Sequence, residues 1–419
     1  MAAESRNHEQ DMKPVLLVLN QMAGPMTWEL VEDLAQHLGD ISLLTGHPDT
    51  LAKGSQSGVT LVPSVAYKRG SLAVRGWRWL RYAVHAFFWL LRQPRETPIL
   101  VFSNPPIGLW CVRLVHLLRG TPYAVMVHDI FPEVLVRKGV AGESHFLVLM
   151  WHRINRWAYE SASVVMTLGK YMASTLDENM AASKTAAGEI VIVPPWSDDQ
   201  KIQPIRKQEN WFAKEHDQVG KLTCMYSGNM GLGHDLESMY EAAEQLKSDP
   251  DIRFMFIGAG PKWDLTAEYC KKHDLTNTKV LGWQPEDVIP SSLATADLAL
   301  VSLEQELSGL AVPSKAFYFL AANVPLIAVC DEATELAEVV QKYGCGAVVP
   351  PGNPDQIVEA IQSVDYDKGL LLQWKAGAQA AMQEFRRNTS TRRFAELLCT
   401  HLGISMGGSI KGESVEEQR

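Results

Sequence analysis

Two series of short, continuously apolar stretches alternating with helical periodicity run through this chain, and no other feature limits its fold as strongly. In the first series Pro14 to Asn20 reads as a strand and Ile41 to Leu44 as another. Between them Thr27 to Leu38 has the helical spacing of Leu30, Val31, Leu34 and Leu38. Pro98 to Phe102, Tyr123 to Val127, Ser163 to Thr167 and Ile190 to Val193 continue the strands, with Ile107 to Leu118 a helix between the first two. Strands apolar on both faces belong to a parallel sheet that helices cover on each side.

From Pro194 to about Lys221 the periodicity stops, and prolines and charges read as a connection. The pattern then restarts with strands at Leu222 to Tyr226, Arg253 to Ile257, Thr278 to Leu281, Leu298 to Val301 and Pro325 to Val329. Helices are expected over Leu236 to Leu246, Trp263 to His273, Pro313 to Ala322, Pro354 to Ser363 and Leu371 to His401. A chain of 419 residues, 46% hydrophobic, is too long for one core and suits two. The expected organisation is α/β: a flexible N-terminus (1–12), a Rossmann-like domain (13–196), a linker (197–220), a second Rossmann-like domain (221–385), a C-terminal helix (386–403) and a disordered tail (404–419). Ligands of open α/β sheets bind beyond the carboxyl ends of the strands, so a cleft between the two domains is the expected site.

Charge narrows the partners. The net charge is -9, and the excess acid falls wholly after residue 200. Such a balance, with no finger or helix-turn-helix signature, gives no reason to expect a nucleic-acid partner. The six cysteines form no Cys-x-x-Cys pair and read as buried thiols of a reducing compartment, and the polar first dozen residues lack the apolar core of a secretion signal. A cytoplasmic location is expected. Between Asp49 and Glu96 there is no acidic residue, while eight basic ones, from Lys53 through Lys68 and Arg69 to Arg95, interleave with Trp77, Trp79, Phe87, Phe88 and Trp89. Residues 68–95 therefore suggest peripheral contact with the inner face of the cytoplasmic membrane, the alternative being a domain helix with a solvated basic face. The apolar run Phe146 to Trp151 fits either the same surface or a core.

Three loops have the chemistry to hold an anion or a sugar. Ser227-Gly228-Asn229-Met230-Gly231-Leu232-Gly233-His234 follows a strand and precedes a helix, where glycines allow close approach to a phosphate and free N–H groups favour it. Gly258-Ala259-Gly260 follows the next strand, with Trp263 where a dinucleotide fingerprint has its third glycine. Pro313-Ser314-Lys315 opens a helix with a lysine in its first turn, which the helix dipole disfavours unless an anion binds there. In the first domain His128-Asp129 follows a strand, with Glu133 four residues on. The histidine suits donation to a phosphate or sugar hydroxyl, and a carboxylate suits receipt of an acceptor's proton. No histidine pairing suggests a metal, and Asp365-Tyr366-Asp367 lies in a polar connector, so no metal site is expected.

Taken together in order and spacing, several strings carry a likeness. They are Ser103-Asn104-Pro105-Pro106, His128-Asp129-Ile130-Phe131-Pro132-Glu133, Ser227-Gly228-Asn229-Met230-Gly231, Phe256-Ile257-Gly258-Ala259-Gly260, Leu281-Gly282-Trp283-Gln284-Pro285, Val312-Pro313-Ser314-Lys315 and Gly344-Cys345-Gly346. From about Pro14 to Ile361 the chain resembles the retaining glycosyltransferases of family four, most closely the bacterial N-acetylfucosamine-type transferases of O-antigen and capsule synthesis. The resemblance implies the GT-B fold, two facing Rossmann-like doubly wound domains with an interdomain cleft, and a nucleoside-diphosphate sugar as donor substrate without a cofactor or metal. It also implies retention of configuration at the sugar and a lipid-linked or glycan acceptor. By the same resemblance Gly228, Asn229, Gly231 and Lys315, with Ser314, would hold the diphosphate, Gly258, Gly260 and Trp283 would flank the base, and His128 would reach the donor sugar. Gly24 would let the first domain close over the phosphates.

The departures are specific. Two glutamates usual in the family fall at Leu310 and Tyr318, and loop Arg and Lys positions hold Asn229 and His234. Tyr318 is expected to hydrogen-bond a ribose hydroxyl, Glu304 and Glu306 are nearby stand-ins for the missing acids, and a protonating His234 is expected to strengthen diphosphate binding. A nucleotide-sugar epimerase of the same fold and a non-catalytic binding homologue are the alternatives.

Overall fold

In this computed structural model, which describes residues 13–56, 58–67, 72–180, 188–231 and 233–407 (at 72 and 73 the backbone alone), the two apolar series form two separate parallel sheets. The first contains β1 (Leu16–Leu19), β2 (Ile41–Thr45), β3 (Val59–Pro63), β4 (Ile99–Phe102), β5 (Tyr123–Val127), β6 (Val164–Thr167) and β7 (Glu189–Ile192) in the order β3-β2-β1-β4-β5-β6-β7. Its helices are α1 (Pro25–Leu38), α2 (Pro48–Ala52), α3 (Leu72–Arg92), α4 (Pro106–Arg119), α5 (Glu133–Arg137), α6 (Phe146–Tyr159) and α7 (Lys170–Met180). The second half begins with α8 (Trp211–Glu215) and contains β8 (Leu222–Asn229), β9 (Ile252–Ala259), β10 (Thr278–Leu281), β11 (Leu298–Ser302), β12 (Leu326–Val329) and β13 (Gly346–Val349), ordered β10-β9-β8-β11-β12-β13. Around it lie α9 (Glu237–Gln245), α10 (Trp263–Lys272), α11 (Ile289–Leu293), α12 (Lys315–Ala321), α13 (Glu335–Tyr343), α14 (Pro354–Tyr366) and α15 (Lys368–Glu384), and α16 (Arg387–Leu402) closes the described chain.

All strand pairs are parallel, and β1, β4, β5, β6, β11 and β12 are buried from end to end, as strands between two helical layers must be. The order reverses between β1 and β4 and again between β8 and β11, which opens a crevice at the carboxyl ends of each sheet. This is the GT-B architecture.

The chain crosses between domains twice at one place. Ser197 N–H donates to Phe385 O at 3.1 Å, and Arg387 N–H donates to Ser197 O at 3.0 Å. Beyond the second crossing α16 returns to the first domain, where Phe394, Ala395 and Leu398 are fully buried in its core. Arg387, at its start, bonds both oxygens of Asp33 at 2.9 and 2.8 Å and Asp198 at 2.8 Å.

Much of the expected linker 197–220 is docked rather than free. Asn210 caps α8 and donates to Ser291 O at 2.7 Å, Lys207 pairs with Asp297, and Phe212 is buried in the second core. Residues 404–407 of the expected tail lie against the first domain: Ile404 packs on its core and Gly407 N–H donates to His37 O at 2.7 Å. The expected flexible N-terminus, the tail from 408 on, and Lys68 and Arg69 lie outside the described residues. Asp367, in the connector with Asp-x-Asp spacing, caps α15 by accepting from Gly369 N–H at 2.8 Å.

The domains touch across the cleft through α5 and α7. Ile130 N–H donates to Leu310 O at 3.3 Å, Arg137 donates to Ser308 O at 2.6 Å, and the Glu335 carboxylate accepts from Met172 N–H at 2.9 Å. Leu310 is wholly buried against the first domain's core. An apolar side chain at that position is therefore a packing element of the interface, where an unpaired glutamate would carry a desolvation cost.

Candidate functional site

Glycine places the first loop of the second sheet directly on the next strand. Gly228 and Gly258 are register partners, and a Cβ on Gly258 (φ +150°) would lie 1.9 Å from Gly228 O. A Cβ on Gly260 (φ +142°) would lie 2.6 Å from Met230 O. No L side chain fits either approach. The loop is then fixed by Met230 N–H to Ala259 O at 2.8 Å and Lys262 N–H to Met230 O at 3.0 Å. In this structure Gly258 and Gly260 thus seat the Gly228–Gly231 loop.

Lys315 reaches that loop from α12. The lysine lies against Gly228: a Cβ there would be in ordinary contact with it, 3.5 Å from Cε and 3.7 Å from Nζ, and it is the backbone φ of +136° that calls for glycine. The ammonium donates to the Tyr226 hydroxyl at 2.5 Å and lies 4.0 Å from that ring's centroid. Tyr226 in turn donates to Asn229 O at 2.7 Å. The two corners singled out in the sequence therefore meet at the β8/β11 switch point. Burial pulls the Lys315 ammonium down to about 7, a sign of a cation shielded from water without a compensating carboxylate. Such a group favours an arriving anion. Ser314 precedes α12 without capping it through its side chain.

Two neighbours depart from expectation. His234 sits with Nδ1 3.0 Å from Ser302 O, and burial, with Lys315 next, pushes its pKa down to about 3. It is neutral in the physiological range, so it does not supply the charge expected of it. The start of α9 is not free for an anion either. The buried Asp235 carboxylate accepts from Ser238 N–H at 3.0 Å and from Gly352 N–H at 2.8 Å, and Glu237 accepts from Leu236 N–H at 3.1 Å. An anion at this site depends on Lys315 and the loop, not on the α9 dipole.

Glu304 and Glu306 flank the same crevice in and beside a 3-10 turn, Gln305–Leu307. Glu304 lies 3.7 Å from Lys262, and burial raises its pKa; Glu306 is exposed. Trp283 stands 62% exposed just past β10, on the same edge as the two glycine loops. Tyr318 is turned the other way, toward the first domain: after burial, the Glu29 carboxylate is the chief cause of its raised pKa.

The first domain contributes His128 and Asp129 at the end of β5, whose N–H groups both point at Ser103 Oγ, at 3.1 and 3.4 Å. The His128 ring stands edge-on to Phe102 with centroids 5.2 Å apart. Burial lowers His128 to about 4 and raises Asp129 to about 6, the latter moderated by Lys138. Glu133 does not join them. Its carboxylate accepts from Asn179 and lies 3.4 Å from His152, partners on α7 and α6 of its own domain. Gly24 caps α1 beyond β1, with only Met22 O, at 3.9 Å, near a Cβ placed there.

One group was not legible in the sequence. Lys138, at the C-terminal end of α5, crosses the cleft so that a Cβ on Gly233 would lie 2.9 Å from its Nζ. Its charge acts on Asp129, His234 and Glu304 alike. A lone surface lysine on a five-residue helix has no motif to announce it. Among the described residues no three His, Cys, Asp or Glu side chains gather as a metal site would require.

Comparison with known proteins agrees with this geometry. Residues 23–196 match the family model of the glycosyl transferase 4-like domain, and residues 207–381 match that of the glycosyl transferases group 1. A probable glycosyltransferase, WbjE of Pseudomonas aeruginosa, is 26% identical over 273 residues, 65% of this chain and 67% of its own. The putative colanic acid biosynthesis glycosyl transferase WcaI of Escherichia coli (strain K12) is 24% identical over 324 residues, 75% of this chain and 74% of its own. Among solved structures, Anabaena HepE in complex with UDP and glucose superposes with a TM-score of 0.68 at 16% identity, covering 92% of this chain and 99% of that one. WaaG, a glycosyltransferase involved in lipopolysaccharide biosynthesis, gives 0.67 at 14%, covering 91% and 99%.

Proposed function

With both domains matched by glycosyl transferase family models, the chain is a nucleotide-sugar glycosyltransferase of the GT-B fold, and from that premise we propose a retaining, metal-independent transfer to a glycan or lipid-linked acceptor. The observation that supports the site is the Lys315 ammonium held against Gly228 and Tyr226, with Lys138 of the other domain beside Gly233 and both charges acting on His234. The family-four likeness favours an N-acetylhexosaminyl or hexosyl donor, and the name of the colanic acid relative favours use in polysaccharide assembly.

In this reading the diphosphate lies over Gly228, Asn229 and Gly231, and its growing negative charge on departure meets Lys315 and, once the domains close, Lys138. Fixed charges of this kind act on the transition state without reorganising. Neutral His128 hydrogen-bonds the donor sugar, and Asp129 takes the proton of the acceptor hydroxyl. That hydroxyl attacks the face the diphosphate leaves, which retains configuration. An epimerase would need acid/base groups converging on the sugar, and Glu133 is instead held by α6 and α7.

Incubation with a panel of nucleotide sugars and with glycan and lipid-linked acceptors separates the possibilities. Transfer with a retained anomer, undiminished by a chelator, is expected; a free epimer, an inverted product or binding without turnover would each overturn part of the proposal.

The pH profile is a second test. Asp129 ionises above about 6 and Lys315 loses its proton above about 7, so kcat/KM should rise through the first value and fall above the second, a narrow bell. A bound diphosphate stabilises the ammonium, so the falling limb of kcat should lie higher while the rising limb stays. Lys138→Ala should cost on the order of tenfold in kcat/KM, the value of one charged hydrogen bond, and should move the rising limb to higher pH by freeing Asp129 of a cation. An unchanged profile in that variant would remove Lys138 from the site.

A further inference from the structure

We propose that the outer faces of α3, α4 and α6 form one docking surface for an anionic lipid bilayer, a role that does not depend on the reaction assigned to the cleft.

The three helices lie side by side on one face of the first domain. α4 is joined to α3 by Arg119, which donates to Leu90 O at 2.9 Å and Gln93 O at 3.0 Å. It is joined to α6 by Trp110, which donates to Asn155 at 2.8 Å, and by Arg113, stacked 4.0 Å from the Trp157 ring. α3 is anchored inward by Tyr82, Ala86 and Leu90, all nearly inaccessible, so it is an ordinary domain helix on that side. Its other side is not the solvated basic face that such a helix usually shows.

Large apolar groups point outward from all three helices: Trp77 (62% exposed) and Phe88 (52%) from α3, Leu117 and Leu118 (60% each) from α4, Phe146 (71%) and Leu147 (55%) from α6. Six large apolar groups exposed on adjoining helices are more than the scattered apolar residues of an ordinary surface and mark a binding surface. The charges identify the occupant. α3, α4 and α6 contain no aspartate or glutamate; of their arginines Arg81, Arg92 and Arg153 are exposed, while Arg113 is buried and Arg78, Arg119 and Arg156 donate to backbone carbonyls of the protein. Exposed arginines with no acid inside the three helices, beside outward apolar groups, complement an anionic headgroup layer above apolar chains. No described helix is long and apolar enough to cross a bilayer, so the contact is made from one side. The placement extends the basic stretch of residues 68–95 to two helices that its sequence does not include.

The test is flotation of the full chain with vesicles of neutral phosphatidylcholine and with vesicles containing phosphatidylglycerol. Binding to the anionic vesicles at least tenfold tighter than to neutral ones is expected, with a blue shift of tryptophan emission as Trp77 leaves water. The double change Arg81→Glu with Arg153→Glu should abolish the preference. Leu117→Glu with Phe146→Glu should weaken binding tenfold or more. Melting temperatures unchanged by either pair would show that the fold is intact. If a pair lowers the melting temperature, the milder Arg81→Gln with Arg153→Gln takes its place. Equal weak binding to both vesicle types overturns the proposal. So does a stable dimer that Leu117→Glu dissociates, since a second copy would then be the occupant.

Discussion

Lys315→Ala is expected to lower kcat/KM by about two to three orders of magnitude, the usual result of removing one preorganised donor to a transition-state anion. The reason lies in its surroundings. The ammonium donates to Tyr226 and lies beside Gly228, burial holds it near 7, and His234 beside it is neutral. No second cation of the same domain takes over, because Lys262 is tied to Glu237 at 2.9 Å and lies 3.7 Å from Glu304. Lys315→Met keeps the length of the stem and should lose as much, which separates charge from packing. Calorimetric titration with nucleoside diphosphates should show the loss in binding as well, at an unchanged melting temperature. Full activity in either variant would remove the diphosphate from this corner.

Arg387→Ala should cost about 3–5 kcal/mol of stability near neutral pH, read as a large fall in melting temperature. Arg387 serves Asp33, Asp198 and Glu32, at 2.8, 2.8 and 3.2 Å, where the side chains of Asp33 and Asp198 are largely buried. Burial alone would raise the Asp198 carboxyl, and the hydrogen bond and charge of Arg387 together with the Lys201 and Gln200 N–H groups outweigh it to leave a net lowering. Glu29, inside the same cluster, is raised by burial. Without the guanidinium these carboxylates remain buried with only Lys201 near. The sign of the pH dependence follows. A depressed carboxylate stabilises the fold above its unfolded pKa and loses that contribution as pH falls through the folded value, so the gap between wild type and variant should narrow in acid and close only below the ordinary aspartate value of 3.8. A gap that persists in acid would point to lost packing rather than lost charge.

The strands, and with them the fold class, were readable because a parallel sheet buries both faces and writes each strand as an unbroken apolar run, as in β5 and β11. β3 and β13, edge strands with one buried residue each, escaped notice, although the edges β7 and β10, which are no more buried, were read. In the site, Gly228 and Lys315 were legible because each is the kind of residue that a close approach or a misplaced charge demands. The rest depended on partners far away in sequence. Asp235 closes the helix end partly through Gly352, Glu133 is turned aside by Asn179, and Arg387 finds Asp33 across most of the chain. Local periodicity carries no trace of such pairings.

Because both crossings lie side by side at Ser197 and Arg386, the second sheet is in effect a long insertion between β7 and the helix that completes the first core. During synthesis the first domain must wait for Phe394, Ala395 and Leu398 until everything between has emerged from the ribosome, while the second is whole beforehand. The later-encoded unit is thus the one able to mature first, and the nascent N-terminal half is left with an open seam that chaperones would meet.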